Sequence, residues 1–475
     1  MSKMEIVVHT KDMDVYKGKN HRGEAFLEKI DKKNHFKSRF YIKSGLYKRS
    51  GVFDEDGFDT GKDPWMSSMP ELIDVGILGH CEHGRSGLCA KSGIECYQNG
   101  LGMHQPNMSL ENFKRIVDEC KGRVFQFALG GRGDVDQHEN FVEILQYCRE
   151  NDIVPNFTTS GLGMTTEIAA ICKKYCGAVA ISQYSRIESN VPELAYRRVS
   201  DPTKRKIYRT ANDIPVMWTF GNTNTNCHWD ETYPGYVING EHWGWDEMHH
   251  MVYSDEPQEY EYIRVFNERY YTDTERKNYT MEAVKMLLDA GVKTNIHYVV
   301  GNNTIDEAIT RLKHNGFPRG INAVIFLLHK PVGLGTDKNV LDIHDPRVKE
   351  FYSLLDGKNY PFQIGLDSCN IPGIINMTNN VDPVCYDTCE AARWSMYITS
   401  DMKALPCSFD NQELKWAYDI SNDTIENAWN SEAFERFRNH FRYSCLRCKD
   451  RANCMGGCPI RREVVLCDRP EKHLI

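Results

Sequence analysis

Residues 71–96 read ELIDVGILGHCEHGRSGLCAKSGIEC. ELIDVGILG is an apolar run of strand length that ends in glycine. A loop with Cys81, Cys89 and Cys96, spaced C-x7-C-x6-C, follows at once. The alternation then repeats. SLENFKRIVDECKG (109–122) reads as a helix, with Ser109 as N-cap and Leu110, Phe113, Ile116 and Val117 on one face. VFQFALGG (124–131) is a strand, HENFVEILQYCREND (138–152) a helix, IVPNFTTSG (153–161) a strand, TTEIAAICKKYC (165–176) a helix and GAVAISQYS (177–185) a strand. Further on come TMEAVKMLLDAGV (280–292, helix), KTNIHYVVG (293–301, strand), TIDEAITRLKHNG (304–316, helix) and INAVIFLLH (321–329, strand).

Six apolar strands alternating with amphipathic helices predict an α/β fold built on a parallel sheet, as a barrel or a doubly wound sheet. In either form ligands bind at the carboxyl ends of the strands. The special residues fall there: Cys81 after the first strand, Gly130 and Gly131 after the second, Ser160 and Gly161 after the third, Ser182 in the fourth, Gly301 after the fifth.

The chain has 475 residues, 58 basic and 66 acidic, for a net charge of −8. That balance argues against nucleic acid or an anionic membrane as partner. Hydrophobic residues at 41% suit a large soluble core. No stretch nears the roughly 18 apolar residues of a membrane span. The first residues hold no apolar signal-type run, so a cytoplasmic location is expected.

Residues 1–70 are polar and turn-rich and are expected to be an N-terminal strap, with Phe53 and Trp65 as anchors. The βα repeat is interrupted over 187–280, a segment holding Trp218, Trp229, Trp243 and Trp245. This insertion reads either as a lid over the strand ends or as a helical subdomain with its own small core. Its histidines, His249 and His250 among them, show no metal-ligand spacing.

Seventeen cysteines in a chain expected in a reducing compartment point to metals or catalysis more than to disulfides. Cys120, Cys148, Cys172, Cys176 and Cys227 are scattered and read as small core hydrophobes. Cys369, Cys385, Cys389, Cys407, Cys445, Cys448, Cys454, Cys458 and Cys467 crowd the tail. SCLRCKDRANCMGGCPIRREVVLC (444–467) has the spacing C-x2-C-x5-C-x3-C-x8-C, with Gly456 and Gly457 allowing a sharp turn between sulfurs. Thiolate-only sites select zinc or iron–sulfur clusters, and spacing alone leaves both open. The 81–96 loop offers three thiolates, which would leave one iron of a four-iron cluster open to a ligand.

With these motifs the chain resembles the radical S-adenosylmethionine (SAM) enzymes that carry a C-terminal SPASM extension, over roughly residues 71–475. The resemblance implies a partial (β/α)6 TIM-like barrel over 71–345 and a cysteine-rich auxiliary-cluster domain over 346–475. It implies that Cys81, Cys89 and Cys96 hold a [4Fe-4S] cluster whose open iron binds SAM. LGGRGD resembles the family's Gly-Gly-acid-Pro segment, which places Gly130 and Gly131 at the SAM amine. TTSG resembles its third-strand turn, which brings in Ser160. Ser182 stands where a polar residue meets the SAM ribose or carboxylate. Tyr298 to Gly301 resembles the segment beside adenine, which brings in Tyr298 and Val299. In the tail, Cys445, Cys448, Cys454 and Cys467 would hold one auxiliary cluster. Cys389, Cys407 and Cys458 would hold the other, with Cys369 or Cys385 as fourth ligand and Cys369 favoured.

The chain departs from the family pattern. The usual spacing is C-x3-C-x2-C, Glu95 stands where an aromatic is usual, and Arg132 stands where an acid is usual. The resemblance implies an enzyme acting on a peptide or protein side chain by cross-linking, epimerisation or oxidation, with a reductant such as flavodoxin or ferredoxin. A radical SAM enzyme on a small molecule and a zinc-stabilised binding protein are the alternatives. The catalytic residues that finish the reaction are not legible.

Overall fold

The computed structural model describes residues 4–85, 94–100, 102, 104–183, the strands between 194 and 265, 280–382, 385–443, 445 and 448–467. Cys89, His249 and His250 lie outside these residues. The chain divides into two compact units, one of residues 1–87, 95–183 and 282–475, the other of 88–94 and 184–281.

The N-terminal stretch corrects one expectation. Residues read as a loop-rich strap form five strands: β1 (Glu5–His9), β2 (Met13–Lys19), β3 (Ala25–Asp31), β4 (Phe36–Tyr41) and β5 (Tyr47–Arg49). They pair antiparallel in sequence order. In FKSRFY the side chains of Phe36, Ser38 and Phe40 are buried while Lys37 is exposed, the period-two pattern of a half-buried strand. Met13, Val15, Leu27 and Phe40 belong to the main core. Phe40 stacks on Phe125, with ring centroids 5.5 Å apart. Lys29 is fully buried and is paired with Glu71, Nζ to Oε1 2.6 Å. Trp65 does anchor the segment that follows: its carbonyl accepts from Arg393 Nε at 2.7 Å, and its ring lies 4.2 Å from that guanidinium.

The first four anticipated strands follow: β6 (Leu72–Leu78), β7 (Gln126–Gly131), β8 (Val154–Thr159) and β9 (Val179–Gln183). Helices lie between them. α1 is the short Glu82–Arg85. Ser109 caps α2 (Leu110–Cys120), its hydroxyl accepting from Asn112 N at 3.2 Å. α3 is Phe141–Glu150 and α4 is Thr166–Tyr175, the latter capped by Thr165. Cys120, Cys148 and Cys172 sit buried on the inner faces of α2, α3 and α4. Burial pushes the Cys120 and Cys148 thiols up, as expected of core cysteines.

The insertion corrects the helical alternative. Its described backbone is antiparallel strand: β10 (Leu194–Arg198), β11 (Tyr208–Arg209), β12 (Trp218–Phe220), β13 (Thr223–Thr225), β14 (Cys227–Asp230), β15 (Gly235–Ile238), β16 (Glu241–Asp246), β17 (Met251–Ser254) and β18 (Tyr260–Val265). They form two sheets, β10-β18-β12-β13 and β11-β17-β16-β15-β14. EHWGWD places Trp243 and Trp245 two apart, a strand period in a segment rich in aromatics.

The last two anticipated strands are β19 (Thr294–Val300) and β20 (Ala323–Leu328). Two short strands join the set of six. β21 (Gln363–Leu366) pairs parallel with β20, and β22 (Ser395–Ile398) pairs parallel with β6. β23 (Lys403–Leu405) and β24 (Tyr418–Asp419) continue antiparallel. The order is β21-β20-β19-β9-β8-β7-β6-β22-β23-β24. The α/β class holds, but the described sheet is open, with β21 and β24 as its edges, and it has more parallel strands than a six-stranded partial barrel. It also runs past residue 345 into the tail, which supplies a strand on either side of the βα repeat.

Candidate active site

Glycine lets β6 leave the sheet. A Cβ at Gly79 would lie 2.1 Å from Pro106 O, so only a glycine passes the 105–106 backbone. Cys81 follows, buried. A Cβ at Gly100 would meet Cys81 Sγ at 3.7 Å and Cys96 Sγ at 3.8 Å. The two described sulfurs of the loop therefore face one place, at the carboxyl end of the first parallel strand. Cys89 belongs to the residues not described.

The far side of this loop is latched. Leu334 N donates to Cys96 O at 2.9 Å. Glu95 accepts from Thr336 N at 3.0 Å, Thr336 Oγ1 at 2.8 Å and Asn339 Nδ2 at 2.7 Å. Glu95 is thus an anchor for the Cys96 turn. Arg132, the other departure, is buried and ties two parts of the same loop: Nε donates to Gln98 O at 3.2 Å and Nη1 to Gln105 Oε1 at 3.0 Å.

The two glycines after β7 differ. A methyl group added at Gly130 would meet no described protein atom within 4 Å, so this residue borders open space. Gly131 has φ +113° and a Cβ there would lie 2.4 Å from Leu78 O, so it is required by the backbone. Asp134, two residues past Arg132, is the acid of this turn. It accepts from Ser160 N at 2.7 Å and from the Ser160 hydroxyl, and lies 3.2 Å from His83 Nε2. Burial raises its pKa, but hydrogen bonds from His83 and Ser160 outweigh that and hold it below the usual range. Burial, with Asp134 adding, pushes Asp136 up to about 6. Ser160 is therefore buried against Asp134 and its side chain is engaged.

Ser182 stands level with His297 across β9 and β19. Tyr298, expected beside the cofactor, follows His297 on β19. Its ring is fully buried in a cluster with Phe317 and Phe326, and its hydroxyl donates to Thr304 O at 3.1 Å. Val299, one residue on and so on the opposite face, is exposed.

A cavity of about 830 Å³ lies against the sheet, lined by Asp74, Gln126, His297 and Leu327 and by Cys369, Cys389 and Cys407. Glu390 lines it too. Burial, with Glu390 adding, pushes Asp74 up to about 7, and burial with neighbouring acids pushes Glu390 up to about 6. Burial pushes His297 down to about 4. The sequence motifs did not single out these three; the one signal was an acid, Asp74, inside an apolar strand.

Cys369 and Cys458 are in hydrogen-bond contact, and Cys389 and Cys407 act electrostatically on Cys369 or each other. Cys385 is exposed. In the second group Cys445 and Cys467 act on Cys454, while Cys448 N donates to Cys445 O at 3.1 Å. Backbone N–H groups point at several sulfurs: Arg461 N at Cys458 Sγ, 3.3 Å, Ala391 at Cys389, Phe409 at Cys407, and Gly456 and Gly457 at Cys454. Such bonds favour thiolate and are one of the levers on an iron–sulfur cluster. Burial above all pushes Cys389 up to about 12 and Cys454 to about 11, so these thiols need a cationic partner to ionise. No three His, Cys, Asp or Glu among the described residues gather tightly enough for a single ion. The donor set and the N–H donors fit a cluster.

Residues 389–454 match the SPASM model, an iron–sulfur cluster-binding domain. The matched residues are thus similar to an iron–sulfur cluster-binding domain. Comparison with curated proteins gives no match. Among solved structures the fold is similar to that of Streptococcus suis SuiB bound to precursor peptide SuiA, at TM-score 0.50 and 14% identity, covering 85% of this chain and 77% of that one. SuiB bound to S-adenosylmethionine matches at TM-score 0.49 and 14% identity, over 85% and 78%. A histidine-tagged anSMEcpe with bound AdoMet matches at 0.47 and 13%, over 85% and 89%. Among the described residues no helix is long and apolar enough to cross a membrane.

Proposed function

We propose that this chain, whose residues 389–454 are a SPASM iron–sulfur domain, is a radical SAM enzyme that modifies a peptide or protein side chain. The observation that carries the reading is the meeting of the Cys81 and Cys96 sulfurs at Gly100, where the first parallel strand ends. With SAM and a four-iron cluster bound there, the site would supply a 5′-deoxyadenosyl radical that takes a hydrogen atom from substrate.

The residues divide the remaining work. Cys81, Cys89 and Cys96 hold the cluster, and Glu95 and Arg132 keep their loop in place. Gly130 leaves room for the SAM amine, while Gly131 sets the turn that brings it there. Ser182 and Val299 border the rest of the cofactor. Cys369, Cys389, Cys407 and Cys458 hold one auxiliary cluster, and Cys445, Cys448, Cys454 and Cys467 the other. The cavity is the candidate place for the substrate side chain, which a carbon radical requires to be sheltered from bulk water. Asp74 and Glu390, poised near neutrality, accept a proton released from it. A peptide substrate is supported by the SuiB structure, solved with its precursor peptide. A small electron carrier such as flavodoxin or ferredoxin is the matching reductant.

The test is anaerobic reconstitution with iron and sulfide, followed by an assay for 5′-deoxyadenosine. Wild type is expected to hold about twelve irons, three four-iron sites, and to form the nucleoside under reductant. The Cys81/Cys89/Cys96→Ala triple variant is expected to form none; an unchanged yield overturns the assignment. A colourless protein with about two zinc ions would return the chain to the zinc-stabilised class.

A further inference from the structure

Lys330 is a charge that the cluster and cavity assignments leave unused. It follows β20, at the end of the strand that lines the cavity, and its side chain is 1% exposed. An unpaired ammonium so placed is costly, so its partners define its role. Nζ lies 2.8 Å from Asp367 Oδ2 and donates to Leu328 O at 3.1 Å. It also stands 4.2 Å from the centre of the Phe409 ring. Both side-chain partners are two residues from a cysteine of the same group: Asp367 from Cys369, Phe409 from Cys407. Lys330 interacts electrostatically with Cys369, Cys407 and Cys458.

The Asp367 carboxylate pairs with this charge and is itself held by other donors, Asn370 Nδ2 at Oδ1, 2.6 Å, and Leu328 N at Oδ2, 3.3 Å, so the ammonium is fixed in place. Arg393 is another cation near these cysteines, and its guanidinium is committed to Trp65 O, Thr388 and Cys389 O.

A four-iron cube with four thiolates gains one negative charge when reduced. In a buried site a fixed cation stabilises that added charge most, because screening by water is weak. We infer that Lys330 is a positioning charge that raises the reduction potential of the cluster held by Cys369, Cys389, Cys407 and Cys458. The inference rests on that ligand assignment. No atom moves in the step; one electron enters the cluster from the reductant, and the ammonium is already in place to meet it.

The experiment is a potentiometric titration of the reconstituted full chain, followed by electron paramagnetic resonance. The relevant transition is the one lost in Cys369→Ser. Lys330→Met keeps the stem against Phe409 and removes the charge; its midpoint is expected to move to a more negative potential, with iron per chain unchanged. Lys330→Arg is expected to return toward wild type, which a purely structural role would not require. An unmoved midpoint in a fully loaded Lys330→Met overturns the inference. If Lys330→Met does not load, Asp367→Asn decides: a more positive midpoint supports the inference and an unmoved one overturns it. If Cys369→Ser keeps all transitions and all iron, the ligand assignment has failed and Lys330 falls with it.

Discussion

Glu95 Oε1 accepts a hydrogen bond from Asn339 Nδ2 at 2.7 Å, 244 residues away in sequence. This bond, with the two from Thr336, fastens the turn that presents Cys96 to the segment following β20. Hydrogen bonds to a charged acceptor are worth about 1.5–3 kcal/mol each, and removing the acceptor leaves the donors unpaired. Glu95→Ala is expected to lower iron at the first site by more than half and 5′-deoxyadenosine in proportion. The auxiliary iron is expected to stay. Iron counts in Glu95→Ala against the Cys81/Cys89/Cys96→Ala variant check this; equal counts in Glu95→Ala and wild type would sink it.

Gly130 and Gly131 are adjacent and should respond in opposite ways. Gly131→Ala forces a side chain onto φ +113° and against Leu78 O, at a cost of at least about 2 kcal/mol. Gly130→Ala meets no described protein atom and is expected to leave the melting temperature within about 2 °C. Its effect is expected in SAM affinity, weakened about tenfold. Equilibrium dialysis with SAM beside thermal melts separates the two; a normal affinity in Gly130→Ala removes that residue from the cofactor site.

Tyr298→Phe loses a single bond, to Thr304 O, and is expected to cost about 1 kcal/mol. SAM binding should be untouched, because the ring belongs to the aromatic cluster behind the strand. A denaturant titration and the same dialysis assay are enough. A loss of SAM affinity at constant stability would put Tyr298 back beside the cofactor.

Cys369 and Cys385 compete for one ligand position. Cys369 is in contact with Cys458 and Cys385 is exposed. Cys369→Ser is expected to lose up to about four irons, and Cys385→Ser none. The reverse pattern would exchange their roles.

Asp74 carries a pH signature. Burial, with Glu390 adding, moves its pKa from 3.8 to about 7 in the folded chain. Between those values the folded state keeps a proton that the unfolded state has shed. Stability from this group is therefore present at low pH and falls as pH rises toward about 7. Asp74→Asn removes the dependence, so the variant should gain on wild type as pH rises through that window. Thermal melts of both proteins at several pH values test it; a constant difference contradicts the assignment.

Much of the βα repeat was legible because its signals are local. SLENFKRIVDECKG carries its own cap and its own apolar face, and the structure shows both. The strands from β6 to β9, and then β19 and β20, are apolar runs long enough to read alone. β21 and β22 are four residues each, QIGL and SMYI, and their place comes from pairing with β20 and β6. The N-terminal meander was hidden because its strands carry many charges and its turns are short.

The cysteine pattern of the tail and the glycines at strand ends were set out in the order of residues alone, since ligand chemistry and backbone freedom are properties of residue type and spacing. Tertiary structure alone placed Asn339 on Glu95, Lys330 beside the Cys369 group and Asp74 against the cavity with Glu390. Those relationships join residues tens to hundreds apart, and their consequences come from burial and distance, which no local window contains.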